Sequence, residues 1–287
     1  MNKPTPLPRT LRLGVTDLSF HRATAAIITQ VLQRIGVDVV RSYALHQDNF
    51  AQLRAGAIDM LASAWLPDSH GGYKAMVEET VATRELGLHY QPYALWGVPD
   101  YVPEAAVFSI EDLLKPTVLA RMQRTIQGIG PGAGISRFSQ QIMLDYGLQA
   151  AGYAFRTGSQ ADCIAAFERL IAHGEWGVVP LWHPQFLHHR HHIRELQDPK
   201  GLLGGVDRAV LLAREDRMGI LAPAQIQVLA SICLSNAIVA ELDYAVNRQQ
   251  KSPDQAAGEW LDQHPETLAQ WLAPLSAPKL PAKALGS

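Results

Sequence analysis

The chain predicts an α/β fold built in two units, and three features carry that expectation. Strand-like and helix-like segments alternate over residues 11–62, the alternation restarts after residue 109, and a wholly helical stretch begins at residue 223. With 287 residues, 47% hydrophobic and 18% charged, the chain has enough apolar material for one large domain or for two lobes with separate cores.

Leu11-Arg12-Leu13-Gly14-Val15 reads as a strand. Segment 23–35 carries apolar residues at 28, 31, 32 and 35, which is helical spacing, and Gly36 is a natural stop. Residues 37–40 read as the next strand. Asp48 is placed to cap a helix ending at Gly56, and Ile58-Asp59-Met60-Leu61-Ala62 reads as a buried strand. This β-α-β-α-β order calls for a mainly parallel sheet covered on both faces.

In the second unit, Ser109 precedes a short helix at 110–114, and a strand at 125–129 runs into a glycine-rich turn. A helix over 136–146 stops at Gly147, Ser159 precedes a helix over 161–173, and 176–181 reads as a buried strand. Helices are expected at 225–247, 253–263 and 265–272. The first eight residues hold three prolines and read as an extended leader; 276–287 reads as a flexible tail.

A net charge of −2 gives no reason to expect nucleic acid or an anionic membrane as partner. No apolar run approaches the ~18 residues of a spanning helix. Cys163 and Cys233, in helix-like segments, have no metal-ligand spacing and read as two buried small hydrophobes. The N-terminus lacks a charged region followed by an apolar stretch and a cleavage site. The expected location is cytoplasmic if the chain is complete as given, and periplasmic or extracellular if a signal was removed before residue 1.

The sequence holds no Gly-x-Ser-x-Gly, Walker or His-Glu-x-x-His motif. Gly128-Ile129-Gly130-Pro131-Gly132-Ala133-Gly134 does not fit a dinucleotide fingerprint, but it follows a strand and feeds a helix. Its backbone N–H groups suit a small anionic group such as a carboxylate, and a plain strand-to-helix turn explains it as well. His183, His188, His189, His191 and His192 lack an accompanying carboxylate or thiolate set, so a solvated basic segment is expected rather than a metal site.

Trp176, Trp260 and Trp271 are expected in cores. Trp65 and Trp182 differ, because each ends an apolar strand and is followed within two residues by a proline. Ligands of open α/β sheets gather outside the carboxyl ends of strands. Two indoles there, from two units, can face each other across a cleft, and aromatic faces attract weakly solvated cations such as quaternary ammonium.

Trp65-Leu66-Pro67-Asp68-Ser69-His70 with Tyr73 resembles the first-lobe motif of the glycine betaine/choline/proline-betaine substrate-binding proteins of ABC importers. Four later stretches resemble the same family in the same order. They are Gly97-Val98-Pro99-Asp100-Tyr101-Val102, the glycine-rich loop 128–134, Thr157-Gly158-Ser159, and Trp182-His183-Pro184-Gln185 with Asp198-Pro199-Lys200. The resemblance covers about residues 10–272.

It implies a type II periplasmic-binding-protein fold, two α/β lobes joined by a two-strand hinge. Lobe one is placed at 10–100 plus 206–275 and lobe two at 101–205. The family encloses the ammonium in an aromatic box and holds the carboxylate with backbone amides and polar side chains. Carried over, Trp65 and Trp182 become box walls, the loop at Gly130 to Gly134 lines the second-lobe side, and Gly132, Ala133, His70, Tyr73 and Ser159 join the ligand-binding set. The chain departs from the family twice. Gln185 stands where many members carry a histidine in Trp-x-Pro-His, and Leu18-Ser19-Phe20-His21 stands where many carry a tryptophan. Phe20 then serves as a smaller wall, with His21 as an added polar group.

The expected function is a monomeric binding protein for a small cationic or zwitterionic ligand, feeding an ABC transporter permease, with no cofactor, no metal and no catalysis. A cytoplasmic ligand sensor and an enzyme on the same fold remain as alternatives.

Overall fold

Strand β1 (Thr10–Thr16) is interior to its sheet and has parallel neighbours on both sides, because each is reached by a helical crossover. Helix α1 (Ser19–Arg34) leads to β2 (Asp38–Ala44), and α2 (His46–Ala55) leads to β3 (Met60–Leu66); β2 and β3 both pair parallel to β1. The computed structural model describes residues 10–276. The expected leader at 1–8 and the expected tail from residue 277 on lie outside the described residues.

Helix α3 (Gly71–Glu78) and β4 (Thr83–Tyr90) follow, and sheet I has the order β2-β1-β3-β10-β4, β10 (Arg208–Arg214) running antiparallel to β3 and β4. All seven residues of β3 are buried, as expected for a strand covered on both faces.

Between β4 and β5 the chain leaves sheet I. Strand β5 (Tyr93–Pro99) pairs antiparallel with β8 (Val179–His183) and β9 (Ile193–Glu195), forming sheet II. Helix α4 (Pro116–Leu119), β6 (Thr125–Gln127), α5 (Gly134–Asp145), β7 (Ala154–Arg156), α6 (Gln160–His173) and α7 (Leu187–Arg190) surround it, with β6 and β7 paired parallel. Residues 196–207 return the chain to β10. The protein is thus two α/β lobes, one around each sheet, with two chain crossings between them.

Several elements differ from expectation in ways that bear on the site. Helix α1 begins at Ser19, four residues early, so Phe20 and His21 enter its first turn and are buried. Helix α2 begins at His46, and Asp48 lies in its first turn as a dipole-favoured charge rather than as the cap. Ser159 does cap α6: its hydroxyl accepts from the Asp162 N–H at 3.1 Å.

The single helix expected at 225–247 is two, α8 (Pro223–Ser231) and α9 (Asn236–Arg248), bent by 87°. Ser235 caps α9 by accepting from Ile238 N–H at 3.2 Å. Cys233 lies in this break and is exposed, contrary to the expectation of two buried thiols; Cys163 is buried. Helices α10 (Pro253–Gln263) and α11 (Pro265–Leu272) match expectation, and Trp260 and Trp271 stack in the core at 6.0 Å. Among the described residues no single helix is long and apolar enough to cross a membrane.

Candidate functional site

Trp65 is the sixth residue of β3 and Trp182 the fourth of β8, so both leave their sheets where the strands end. Ser63, two residues before Trp65, takes a left-handed conformation (φ 58°) opposite a register shift between Val210 and Leu212. Such a bulge re-aims the side chains that follow it. Phe20, in the first turn of α1, stands between the two indoles, with ring centroids 5.6 Å from Trp65 and 5.7 Å from Trp182.

These three rings line one cavity with Leu18, His21, His46, Ser69, His70, Ala94, Ile129, Ala133, Gly134 and Ile135. It is tight: the space open to the centre of a water-sized sphere is ≈ 20 Å³, little more than a single water needs. A second, wider cleft of ≈ 420 Å³ on the same measure shares Leu18, His46, Ile129 and Ala133 with it, and continues past Gly132 and Ser159.

Each wall is held from behind. The Trp65 indole N–H donates to Tyr90 Oη at 3.1 Å, and the Trp65 backbone N–H donates to His70 Nδ1 at 2.9 Å. That second bond makes Nδ1 the acceptor, so a neutral His70 carries its proton on Nε2.

Three imidazoles floor the cavity in file, His21 to His46 at 6.2 Å and His46 to His70 at 5.1 Å. Burial, then the neighbouring His46, pushes His21 well below the usual histidine range. Burial, followed by the Arg137 charge, lowers His46 to about 4, and burial with the surrounding histidines and Arg137 holds His70 well below its ordinary value. At neutral pH the floor is therefore uncharged. A cation among these rings meets aromatic faces and neutral dipoles, with no competing positive charge from the floor.

The two lobes meet directly over the cavity. Tyr73 Oη donates to the Gly132 carbonyl at 2.9 Å, and Arg137 Nη1 donates to the same oxygen at 2.7 Å. Arg137 also donates to the Ser69 carbonyl. Gln160 Nε2 reaches Ser19 Oγ at 3.0 Å, and Arg248 pairs with Glu168. At the start of α5 the backbone N–H groups of Gly134 and Ile135 are among those without an intrahelical acceptor, and both residues line the cavity.

Of the ten residues singled out from the sequence, Phe20, His21, Trp65, His70, Ala133 and Trp182 line the cavity. Gly132 and Ser159 line the wider cleft instead. Tyr73 stacks on Phe50 at 5.3 Å and borders the site through the Gly132 carbonyl and the His70 ring, 6.4 Å away, without lining the cavity itself. Gln185 is fully buried, its amide atoms have no partner, and it lines neither space. Sequence reasoning missed His46, for which the sequence carries no signal, and also Ile135. The loop expected to line the site ends at Gly134, which does line the cavity, one residue short of Ile135.

The histidine-rich segment is not uniformly solvated. His183 and His188 stack at 3.5 Å, and burial lowers His188 to about 3; His189 and His192 are exposed. No group of three potential metal ligands forms among the described residues.

The chain is 27% identical over 151 residues to the glycine betaine/carnitine transport binding protein GbuC of Listeria monocytogenes serotype 1/2a (strain 10403S). That match covers 51% of this chain and 48% of the other, so it spans about half the length of the curated relative. Lactococcal OpuAC, closed and complexed with glycine betaine, superposes with a TM-score of 0.80 at 23% identity, covering 92% of this chain and 99% of that one. The glycine betaine/L-proline-binding protein ProX of Borrelia burgdorferi gives 0.80 at 23%, covering 91% and 96%. An ABC-transporter choline-binding protein in complex with choline gives 0.79 at 18%, covering 92% of each chain. These likenesses show the two-lobed type II binding-protein fold. The model of the substrate-binding domain of ABC-type glycine betaine transport systems matches residues 9–263, and the chain belongs to that family.

Proposed function

We propose that the chain is the solute receptor of an ABC importer, taking a small quaternary amine of the glycine betaine or choline class between its two lobes. The observation that carries this reading is the placement of Phe20 between Trp65 and Trp182 in a cavity floored by neutral histidines. Each aromatic face contributes about 0.5–2 kcal/mol toward a cation. The ammonium sits among the three rings, and a carboxylate or hydroxyl points to the Gly134 and Ile135 amides at the start of α5. Tyr73, Gly132 and Ser159 act at the rim, and His21 and His70 shape the floor. Gln185 is removed from the contact set, because the cavity does not reach it.

The lobes divide near residue 92. Strand β5 pairs in register with β8 and β9, which favours 10–92 plus 206–275 as lobe one over a boundary at 100. The tight cavity supports a closed state, and entry of a ligand requires the lobes to part. Delivery is to a permease on the extracytoplasmic side, with the chain acting as a monomer and without catalysis.

The test is a thermal-shift screen of glycine betaine, choline, carnitine, proline and neutral amino acids, since a ligand that binds only the folded state raises its stability. A shift confined to the quaternary amines is expected. A shift confined to neutral amino acids, or none at all, would remove the reading.

A further inference from the structure

Asp243, on α9, is fully buried and accepts three hydrogen bonds from three separate segments. Ser19 Oγ donates to Oδ1 at 2.5 Å, the Phe186 backbone N–H donates to Oδ2 at 2.9 Å, and Asn247 Nδ2 donates to Oδ1 at 2.8 Å. No lysine or arginine lies within ion-pair distance of it among the described residues, although fifteen ion pairs of lysine or arginine are formed elsewhere among them. A buried carboxylate without a cationic partner is costly to keep ionised.

Its position is what gives this meaning. Ser19 immediately precedes Phe20, and Phe186 follows Trp182 by four residues, so Asp243 ties together the two segments that bring these walls to the cavity. Through Ser19 the same network reaches Gln160 of the other lobe.

We propose that Asp243 is a specificity-determining and positioning residue: it fixes the Phe20 and Trp182 segments and supplies, from behind them, the negative charge that a bound cation neutralises. This deepens the proposed function and rests on it.

The groups around Asp243 leave that role to it. On α1 stand Ser19, which is neutral, and His21, held neutral by burial. From β4 comes Tyr90, pushed up to about 12 and so un-ionised. The loop after β8 presents the Phe186 amide, α6 presents Gln160 through Ser19, and α9 itself adds Asn247. Arg248, on the same helix, is engaged with Glu168 and the Phe186 ring. His46 and His70 complete the neutral cavity floor. Burial raises the Asp243 carboxyl to about 6, so an arriving cation should promote its ionisation near that pH.

The experiment is calorimetric titration of choline, which does not itself titrate in this range, from about pH 5 to about pH 8, in two buffers of different ionisation heat. Wild type should bind about tenfold tighter at the upper end, the factor carried by one unit of pKa displacement, with a fraction of a proton released near the midpoint. The neutral carbon isostere of choline, with a tert-butyl group in place of trimethylammonium, should show no such dependence. Ser19→Ala removes one donor to the carboxylate and should move the midpoint upward. Asp243→Asn should flatten the profile and narrow the preference for choline over the isostere. The wild-type profile decides even if the variants fail to fold. Choline binding that is flat with pH and releases no proton would overturn the Asp243 role while leaving the binding function intact. Absence of binding by any quaternary amine would instead remove the function on which the role rests.

Discussion

Gly134 lies against Ser69 so closely that a β-carbon on the glycine would stand 2.9 Å from the Ser69 Cβ and 3.0 Å from its Cα. Neither atom belongs to a flexible side-chain end, so the contact between the start of α5 and the turn after β3 has no room for a methyl group. Gly134→Ala should therefore hold the lobes apart while leaving each intact. The expected result is a loss of ligand affinity of about tenfold or more, ~1.4 kcal/mol, with little change in the unfolding temperature of the free protein. Small-angle scattering should show a larger radius for the ligand-loaded variant than for loaded wild type. An unchanged affinity would mean that this contact is not part of closure.

Tyr73 offers a milder test of the same closure. Its hydroxyl donates across the cleft to the Gly132 carbonyl, an oxygen that Arg137 also occupies. Tyr73→Phe keeps the ring on Phe50 and deletes one cross-cleft bond, worth about 0.5–1.5 kcal/mol net. Affinity should fall about two- to tenfold with stability preserved, as read by calorimetry and a melting curve on the same sample.

Acid should destabilise the free protein earlier than its carboxylates alone would require. His21, His46, His70, His89 and His188 all sit below their ordinary range in the folded state, chiefly through burial. The unfolded chain protonates its histidines near pH 6.5, whereas the folded groups resist to about 4 for His46 and His89. The stability these groups support is complete above about pH 6.5 and falls as pH drops toward 4. Asp243 opposes the trend, since its raised carboxyl makes the folded state bind the extra proton between about 4 and 6. Five histidines outweigh one carboxyl, so the melting temperature should decline steadily from about pH 7 to about pH 4.5. A flat profile across that window would contradict the burial of these rings.

Much of this architecture is readable in the residues themselves, because its signals are local. Ser252 and Pro253 mark the start of α10 and Pro265 that of α11, and the positions of Trp65 and Trp182 follow from apolar strands that end there. What escaped notice depends on tertiary context. The bend between α8 and α9 is invisible to periodicity, since apolar residues continue through 232 and 234 and are buried in the break. The early start of α1 follows from burying Phe20 and His21, which continue the buried face of Ala23, Ile27, Ile28 and Val31 back by one turn. His46 enters the site because α2 begins one residue after an exposed Leu45, not because of any motif. Gln185 is drawn inward beside the Phe186 amide that Asp243 holds, so a position suited to ligand contact by resemblance is internal here.

The most direct measurement pairs calorimetric affinity with thermal unfolding for Trp65→Ala, Trp182→Ala and Trp260→Ala. The first two remove cavity walls and should weaken binding of choline or glycine betaine by about 1–3 kcal/mol, roughly ten- to hundredfold. Trp182 is only 2% exposed and Trp65 only 7%, so some stability will also be lost, but less than for a core indole because both border the cavity. Trp260, stacked on Trp271 away from the cavity, should cost about 3–5 kcal/mol of folding with affinity nearly unchanged. The account predicts that affinity and stability separate in opposite directions across these variants. Wild-type affinity in folded Trp65→Ala and Trp182→Ala protein would contradict the cation cage outright.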